Sequence, residues 1–455
     1  MKKIITVFGS TGNLMYKKLF PALSSLIKKG HIKNDAKIYC VARIDCTLED
    51  YIEVAKQKVT EYVDWDLIIP FLTYIKMDIN NVEDYIKLKQ TLDSNGEIDS
   101  MFYLAVPPVL FPIIAKGISE SKLIEKQNPQ GRIIFEKPFG ENLKSAQNIN
   151  ENLWKYFDES QIYRIDHYLG KEMIQNILVV RFANSIFEKT WNKDSIESVS
   201  IIAKESEGVM QRGNYYDKIG ALKDMVQSHL LQMASLIAME TPTIHNSEAI
   251  KDQKIKVMQH FTINPKDVVL GQYASYKDEL NISQDSKTDT FVYFKAFINN
   301  DRWKGVPFYF ITGKKLDEKR SEIIIKFKDS STSTLLWPNQ PNMSNKLIIK
   351  VAPKEGVNFK FNVKEPGLNN KIVPADLDYC HSCQVLGNTP EAYEKLLLDL
   401  INKNSTLFTR WDEIETFWGI VDSLKEKLDD PFIYNNFSDL KPFLLNNYME
   451  VNNDL

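Results

Sequence analysis

Residues 3–12, KIITVFGSTG, decide the fold of the first part of the chain. The apolar run at residues 4–8 predicts a buried parallel strand, and Gly9 and Gly12 predict a tight turn directly after it. From residue 14 to residue 29 apolar side chains recur at helical spacing, so we expect a helix to begin at this turn. The order of strand, glycine turn and helix is typical of the opening unit of a parallel α/β sheet.

The same alternation continues outward from this stretch. Residues 37–42 form a second short apolar run, and further strands are predicted at residues 72–77, 100–105 and 132–136, with charged segments of helical character between them. Parallel strands joined by helices require right-handed crossovers and bury both faces of the sheet. We therefore predict a doubly wound α/β domain over residues 1–165.

After about residue 165 the pattern changes. Residues 357–363 alternate apolar and polar side chains with period two, and two other apolar runs are joined through Asn299 and Asn300 in the manner of a hairpin. Such a succession predicts a β+α domain with a large antiparallel sheet over residues 166–455. Strands are predicted at residues 291–297, 306–311, 323–327, 347–351 and 357–363, and helices at residues 390–403 and 411–427.

Composition excludes several classes of protein. The 455 residues carry 57 Lys and Arg against 60 Asp and Glu, a formal charge of −3, so we expect no nucleic-acid partner and no membrane partner. The longest apolar stretch, residues 101–115, is shorter than the ~20 residues that span a bilayer, and prolines interrupt it. These features predict a cytoplasmic protein.

Four cysteines in a chain of this length argue against a disulfide framework and for a reducing compartment. Cys380 and Cys383 have the spacing of metal ligands, but a structural zinc site needs a second pair of ligands, and the sequence offers no matching pair. We interpret these two residues as separate thiols and predict no metal.

The glycine turn is a candidate phosphate site. Two glycines allow the backbone to approach a pyrophosphate, and the following helix offers N–H groups with a partial positive charge. A glycine pair also occurs in such turns for steric reasons alone. Arg43, at the end of the second strand, favours NADP+ because a guanidinium can pair with a 2′-phosphate, whereas an acid there would bind the ribose hydroxyl of NAD+. Asp45 lies close by, and an ordinary surface role for Arg43 stays an alternative.

Residues 164–172, RIDHYLGKE, concentrate polar side chains between two apolar ones. His167, Tyr168 and Lys171 supply two hydrogen-bond donors and one cation within five residues, a set suited to a phosphate. We expect His167 and Lys171 to lie one helical turn apart. An incidental histidine is the ordinary interpretation of a lone His, but it has less weight in such a cluster.

Residues 220–232, GALKDMVQSHLLQ, predict a helix with Asp224 and His229 on its more polar side. Burial against Met225, Val226 and Leu230 would favour the neutral imidazole, which can act as a base. A core histidine bonded to the backbone is the alternative, and spacing alone slightly favours it.

The ordered series of these motifs resembles the glucose-6-phosphate dehydrogenase family over nearly the whole chain. The matching stretches are GSTGNL at 9–14, KKLFPAL at 17–23, FYLAVPP at 102–108, FEKPFG at 135–140, RIDHYLGKE at 164–172, GALKDMVQSHLLQ at 220–232, GVPFYFITGKKL at 305–316 and FTRWDEIE at 408–415. The resemblance implies an N-terminal Rossmann dinucleotide-binding domain. The β+α domain after it would bind substrate, and its sheet would form the interface of a homodimer or a dimer of dimers.

The resemblance also implies an activity. The reaction would be oxidation of D-glucose 6-phosphate at C1 to 6-phospho-D-glucono-1,5-lactone with NADP+, with NAD+ as a second candidate cofactor. It is the first step of the oxidative pentose phosphate pathway. A related dehydrogenase acting on a free sugar would have no use for the phosphate-binding cluster near His167. A non-catalytic paralogue would be expected to lose residues such as Lys314, which this chain keeps.

Roles for single residues follow from the resemblance alone. His229 would be the general base, and Asp166 would orient and stabilise its imidazolium. Substrate contacts would come from His167, Tyr168, Lys171, Glu205, Asp224, Lys314, Lys319 and Lys137. Cofactor contacts would come from Gly9, Ser10, Thr11, Gly12, Asn13, Leu14, Arg43, Ala105, Val106, Pro107 and Lys137.

The chain departs from the family pattern at four positions. Asn13 stands where members usually carry Asp, and Met15 stands where they carry a small residue. Neither change removes backbone N–H groups from the turn. Lys350 and Ala352 replace the Arg and Gln of many members, which argues against a second, structural NADP site.

Overall fold

The computed structural model describes residues 2–92, 98–244, 246–338, 344–384, 392–425 and 427–444. Within these residues the strands, in chain order, are β1 Lys2–Phe8, β2 Lys37–Ala42, β3 Leu72–Lys76, β4 Ile98–Leu104, β5 Gly131–Phe135, β6 Ile162–Ile165, β7 Ile196–Lys204, β8 Phe261–Tyr273, β9 Phe291–Ile298, β10 Pro307–Gly313, β11 Arg320–Phe327, β12 Lys346–Ala352, β13 Gly356–Lys364, β14 Ile372–Cys380, β15 Phe408–Thr409 and β16 Phe432–Tyr434.

The helices in the same ranges are α1 Phe20–Lys28, α2 Leu48–Lys58, α3 Trp65–Ile68, α4 Val82–Leu92, α5 Phe111–Glu120, α6 Leu143–Trp154, α7 Glu172–Phe182, α8 Ser185–Thr190, α9 Gly213–Ala221, α10 Leu231–Ala238, α11 Ser247–Met258, α12 Ser331–Leu336, α13 His381–Gln384, α14 Ala392–Ile401, α15 Trp411–Lys425 and α16 Phe437–Leu444. Two segments have π-helical hydrogen bonding: Met15–Leu19 leads into α1, and Leu222–Leu230 connects α9 to α10.

The chain divides into two compact units. Unit 1 comprises Met1–Gly170, Asn246–Lys251 and Pro390–Glu415. Unit 2 comprises Lys171–His245, Asp252–Thr389 and Thr416–Leu455. Both units therefore draw on separate parts of the sequence.

Unit 1 is built on a sheet with the strand order β15-β6-β5-β4-β1-β2-β3. The strands from β6 to β3 pair in parallel, as expected for a doubly wound domain. The first five lie within two residues of the predicted bounds. β15 pairs antiparallel with β6 and was not predicted, because a two-residue strand carries no periodicity.

Unit 2 is built on a larger sheet with the strand order β14-β13-β12-β11-β7-β10-β9-β8-β16. Most neighbours are antiparallel, and the hairpin of β9 and β10 pairs Phe297 with Pro307. β7 pairs parallel with β10, and β16 pairs parallel with β8. The predicted fold class, a parallel α/β domain followed by a domain with a large antiparallel sheet, is confirmed.

β7 was missed from the sequence for a physical reason. It lies between β10 and β11 in the middle of the sheet, and eight of its nine residues are buried. A strand covered on both faces shows no alternation of apolar and polar residues. Alternation of apolar and polar residues therefore predicts β13, which has one exposed face, but it does not predict β7.

The predicted helices correspond to α14 and α15. Residues 390 and 391 of the first and residue 426 of the second lie outside the described residues. The helix expected from residue 14 begins instead with the π-helical turn Met15–Leu19, in which Met15 and Tyr16 are buried. No helix in the described part of the chain is long and apolar enough to cross a membrane.

Cys380 and Cys383 form a disulfide at the end of β14, so the interpretation as two separate thiols is wrong. Their spacing places the Cα atoms 5.3 Å apart, within the range that a disulfide bridges. Cys40 and Cys46 are not bonded to another cysteine.

Candidate active site

The carboxyl edge of the sheet in unit 1 brings the predicted cofactor residues together. β1 lies between β2 and β4 and is parallel to both, so the residues that follow the three strands meet at one edge. The Gly9 N–H donates to Val41 O at 3.0 Å, and the Ala105 N–H donates to Phe8 O at 3.0 Å. This is the edge at which parallel α/β sheets bind ligands.

Gly9 is required at this edge by its backbone conformation. Its φ is +79°, and a Cβ atom there would lie 2.4 Å from Ala105 O and 2.8 Å from a side-chain methyl of Val106. The Gly12 N–H donates to Gly9 O at 2.9 Å and closes the turn. The absence of side chains leaves a smooth backbone surface, which is the form that a pyrophosphate needs.

Other residues of the turn differ in exposure. Ser10 is fully buried, and its hydroxyl has no hydrogen-bond partner among the described residues. Thr11 and Leu14 are half-buried, and Asn13 is exposed. Polar groups are therefore available at the turn, and the chain fits a dinucleotide at this place.

Arg43 is exposed at the end of β2. Asp45, which could have bound a ribose hydroxyl, forms an ion pair with Lys76 at 2.5 Å. This pair offsets the charge of Asp45, although exposed pairs of this kind contribute little energy.

Lys137 follows β5 at the same edge, in a loop with a cis peptide bond to Pro138. The preceding residue, Glu136, is held by hydrogen bonds from the hydroxyls of Tyr103 and Tyr393. Burial raises the pKa of Glu136 to about 7, and the charge of Asp166 also raises it. The side of the loop away from solvent thus contains an acid that titrates near neutrality.

Asp166 follows β6 and is buried. Its Oδ1 accepts the Tyr168 N–H at 2.9 Å, and its carbonyl accepts the Leu169 N–H at 3.0 Å. Residues 167–170 therefore form a turn, and α7 begins only at Glu172, so the expected helical turn between His167 and Lys171 is wrong. The cause is the aspartate, which bonds the backbone locally in place of a helical ladder.

In unit 2, three predicted substrate residues line one cavity of about 460 Å³. Glu205 follows β7, Lys314 follows the parallel strand β10, and Lys319 precedes β11. The Glu205 N–H donates to Gly313 O at 2.9 Å, and the carboxylate of Glu205 accepts a hydrogen bond from the Lys314 ammonium. An acid and two cations thus converge on a space of the size of a small ligand.

Asp224 and His229 both lie on the π-helical segment Leu222–Leu230, and both are buried. The Tyr215 hydroxyl donates to Asp224 Oδ1 at 3.1 Å. Short π-helical segments are rare and are frequent at functional sites. The predicted helix is present, and its π-helical form was not foreseen, because apolar spacing does not distinguish the two helical forms over so few residues.

Arg212 and Tyr216 are among the cavity residues that sequence reasoning missed. Tyr216 is buried, its hydroxyl has no hydrogen-bond partner among the described residues, and the Lys314 ammonium lies 5.1 Å from its ring centre. The available signal was the concentration of aromatic and basic residues at 212–216, directly before the predicted helix.

Comparison with known proteins identifies the family. Residues 6–176 match the family model of the glucose-6-phosphate dehydrogenase NAD binding domain, and residues 178–452 match that of the C-terminal domain. The chain belongs to the glucose-6-phosphate dehydrogenase family. Membership of this family makes the chain an enzyme with a domain for a nicotinamide dinucleotide, and it confirms the resemblance found in the sequence.

Individual glucose-6-phosphate dehydrogenases are similar along nearly their whole length. Glucose-6-phosphate 1-dehydrogenase of Bacillus subtilis (strain 168) is 40% identical over 448 residues, which cover 93% of this chain and 91% of that protein. The cytoplasmic isoform of Solanum tuberosum is 36% identical, over 94% of this chain and 86% of its own. A solved structure of glucose-6-phosphate dehydrogenase in complex with glucose-6-phosphate has a TM-score of 0.88 and 34% identity, over 95% of this chain and 94% of that chain.

Proposed function

We propose that the chain oxidises D-glucose 6-phosphate at C1 to 6-phospho-D-glucono-1,5-lactone, with NADP+ accepting the hydride. The cavity of Glu205, Lys314 and Lys319 in a member of this family is the observation that carries the proposal. The sugar offers hydroxyl groups that donate and accept hydrogen bonds, and this lining supplies an acceptor in Glu205 and charged donors in Lys314 and Lys319.

The residues of unit 2 bind the sugar and remove its proton. Glu205 and Asp224 accept hydrogen bonds from hydroxyl groups, while Lys314 and Lys319 donate to sugar oxygens. His229 takes the proton from the C1 hydroxyl as the general base, a role that typically contributes ~10²–10⁴ in rate.

The cluster that begins after β6 binds the phosphate. His167 and Tyr168 donate hydrogen bonds, and the Lys171 ammonium supplies a fixed cation at the start of α7. Asp166 stabilises the imidazolium that forms at His229, a role proposed from the family resemblance. Lys137 binds substrate and cofactor from its loop.

The glycine turn holds the pyrophosphate, with contacts from Gly9, Ser10, Thr11, Gly12, Asn13 and Leu14. Further contacts come from Ala105, Val106 and Pro107, and Arg43 pairs with the 2′-phosphate of NADP+. Replacement of Arg43 by Ala is expected to raise the KM for NADP+ about tenfold and to leave the KM for NAD+ within about twofold, since a charged hydrogen bond of ~1.5–3 kcal/mol is lost with only one cofactor. Equal changes with both cofactors would contradict this role.

We also propose a homodimer, in which the outer strands of the larger sheet form the interface. Leu377 and Tyr379 on β14 are 61% and 44% exposed, which supports burial against a second copy. A cytoplasmic location and a place in the oxidative pentose phosphate pathway are proposed with the activity. The name of the cytoplasmic potato isoform supports this location.

Initial rates test the function directly. Glucose 6-phosphate and free glucose should each be supplied with NADP+ and with NAD+, and reduction of the cofactor should be recorded. We expect turnover of glucose 6-phosphate with NADP+, and a kcat/KM for free glucose lower by at least about 10³, because the phosphate contacts are lost. No reduction of either cofactor with glucose 6-phosphate would overturn the proposal, and equal rates with free glucose would overturn the substrate.

A further inference from the structure

The helical region that carries Asp224 and His229 has a sharp bend at its start. At Gly220, between α9 and the π-helical segment, φ is +70° and ψ is 173°, which is not a helical conformation. The direction of the π-helical segment after the bend is therefore not set by the direction of α9. Some other contact has to fix it.

Asp289, directly before β9, makes that contact. Its Oδ2 accepts the Leu222 N–H at 2.7 Å, and its main-chain carbonyl accepts the Ala221 N–H at 2.8 Å. These N–H groups open the segment and have no carbonyl within the helix to bind. A Cβ atom at Gly220 would lie 2.5 Å from Asp289 Oδ1. The absence of a side chain at Gly220 therefore leaves space for the carboxylate.

The residues on either side of Asp289 extend the same connection. The Thr288 hydroxyl donates to Asp217 O on α9 at 2.6 Å, and so fixes the part of the chain before the bend. The Lys314 N–H donates to Thr290 O at 2.9 Å. Residues 288–290 thus hold the two sides of the bend and the backbone of a cavity residue in one hydrogen-bonded arrangement.

We propose that Asp289 is a positioning residue for the reaction: by capping the segment that starts at Leu222, it sets the direction in which Asp224 and His229 point. The inference rests on the proposed function and assigns Asp289 no contact with substrate. It acts through the helical segment alone.

The charges around Asp289 are consistent with this role. Burial raises the pKa of its carboxyl group to about 6, while the backbone N–H groups and the Lys425 ammonium favour the ionised form. Tyr216 and Tyr434 also face it, and the charge of Asp289 contributes to the raised pKa of each hydroxyl. The titratable residues that line one cavity with Asp289 are Asp217, Lys218, Lys223, Lys287, Lys425, Asp429 and Asp430. Above about pH 6 the group is therefore a carboxylate, the stronger acceptor for N–H groups.

Two substitutions test the proposal in the full-length enzyme. We expect Asp289→Ala to lower kcat about tenfold, and Asp289→Asn, which keeps an acceptor oxygen, to lower it only about threefold. The KM for NADP+ should stay within about twofold in both variants. Asp64→Ala is the matched control, because Asp64 caps α3 in unit 1 through the Leu67 N–H, and its kcat should not change.

Hydrogen exchange supplies a measurement that does not depend on turnover. In Asp289→Ala the amide of Leu222 should exchange at least about tenfold faster than in the wild type, because its acceptor is gone. If the wild-type enzyme does not turn over glucose 6-phosphate, the proposed function fails, and exchange at Leu222 still tests Asp289.

The following results would contradict the role proposed for Asp289. An Asp289→Ala enzyme with wild-type circular dichroism and a kcat within about twofold of the wild type would overturn the proposal, as would unchanged exchange at Leu222. Where Asp289→Ala does not fold, Asp289→Asn decides: a threefold loss of kcat supports the role, and an unchanged kcat overturns it.

Discussion

Glu136 in unit 1 and Asp289 in unit 2 are two acids whose pKa is raised by burial, and they are held differently. In unit 1, Glu136 accepts hydrogen bonds from the hydroxyls of Tyr103 and Tyr393, and its pKa is raised to about 7. In unit 2, Asp289 accepts the backbone N–H of Leu222, and its pKa is raised to about 6. Side-chain hydroxyls can rotate to suit an acid or a carboxylate, whereas backbone N–H groups favour the carboxylate alone.

The difference follows from how each unit assembles its site. In unit 1, regular parallel strands end at one edge and bring the residues that follow them, among them Gly9, Arg43 and Ala105, to that edge. In unit 2, Asp224 and His229 lie on a segment that follows a bend, so their placement depends on a dedicated carboxylate. Regular structure positions the predicted cofactor residues, whereas we propose that one capping contact positions the helical segment of the proposed base.

The largest effect is expected at His229, because this residue of unit 2 is the proposed general base. His229→Asn keeps a hydrogen bond but cannot accept a proton, so kcat should fall by ~10²–10⁴ while substrate binding stays near normal. His260→Asn, an exposed position in the same unit, is the control. A kcat within a few-fold of the wild type would remove the general base from His229.

A smaller effect is expected at Lys314, which tests the binding side of unit 2. Lys314→Met removes the cation that pairs with Glu205 and should raise the KM for glucose 6-phosphate ~10–100-fold, the cost of one hydrogen bond to a charged group. Lys304→Met, at an exposed position, should leave the KM unchanged. An unaltered KM in Lys314→Met would mean that the substrate lies elsewhere.

The glycine turn tests unit 1 with a matched pair of glycines. Gly9 and Gly30 have φ of +79° and +75°, but a Cβ atom would collide with Ala105 only at Gly9 and would meet no atom within 4 Å at Gly30. Both substitutions by Ala should lower the free energy of unfolding by ~1–2 kcal/mol through backbone strain. Only Gly9→Ala should also raise the KM for NADP+, by about tenfold. The same KM in both variants would argue against a pyrophosphate at the turn.

The smallest effect concerns pH and Glu136. Its pKa is about 7 in the folded chain against an ordinary value of 4.5, so between these values the folded state holds a proton that the unfolded state has lost. The stabilising effect of that proton is complete below about pH 4.5 and is lost as the pH rises to 7, by at most about 1.4 kcal/mol per pH unit. Urea midpoints at pH 5 and pH 8 should therefore fall more in the wild type than in Glu136→Gln.

Glu53→Gln, at an exposed helical position, serves as the control for this comparison and should keep the wild-type dependence on pH. Parallel pH dependence in Glu136→Gln and the wild type would show that Glu136 does not titrate in this range.

The fold was largely predictable because most of its strands have a recognisable pattern of apolar residues in the sequence. Apolar runs beside glycine turns located β1 and β2, and alternation located β13. Among the strands that were missed, β7 and β15 show no such pattern, because β7 is buried on both faces and β15 has two residues. β6, β8, β14 and β16 were not predicted either. The disulfide of Cys380 and Cys383 needed coordinates, because spacing alone is equally compatible with two thiols.

The site was predictable where the family motifs carry it. The resemblance pointed to Glu205 and Lys314, which the fold of unit 2 brings together, although 109 positions separate them. The bend at Gly220 and its contact with Asp289 were not predictable, since apolar spacing runs through both without interruption. A contact between distant segments becomes visible only when the backbone is known.

The central claim is that the glycine turn and Arg43 of unit 1 bind the cofactor and that the cavity of Glu205, Lys314 and Lys319 in unit 2 binds the sugar ring. The most direct test measures both KM values in Arg43→Ala and in Lys314→Met, side by side with the wild type. The account predicts a crossed pattern, in which the first variant raises the KM for NADP+ alone and the second raises the KM for glucose 6-phosphate alone. Similar increases of both KM values in both variants would contradict it.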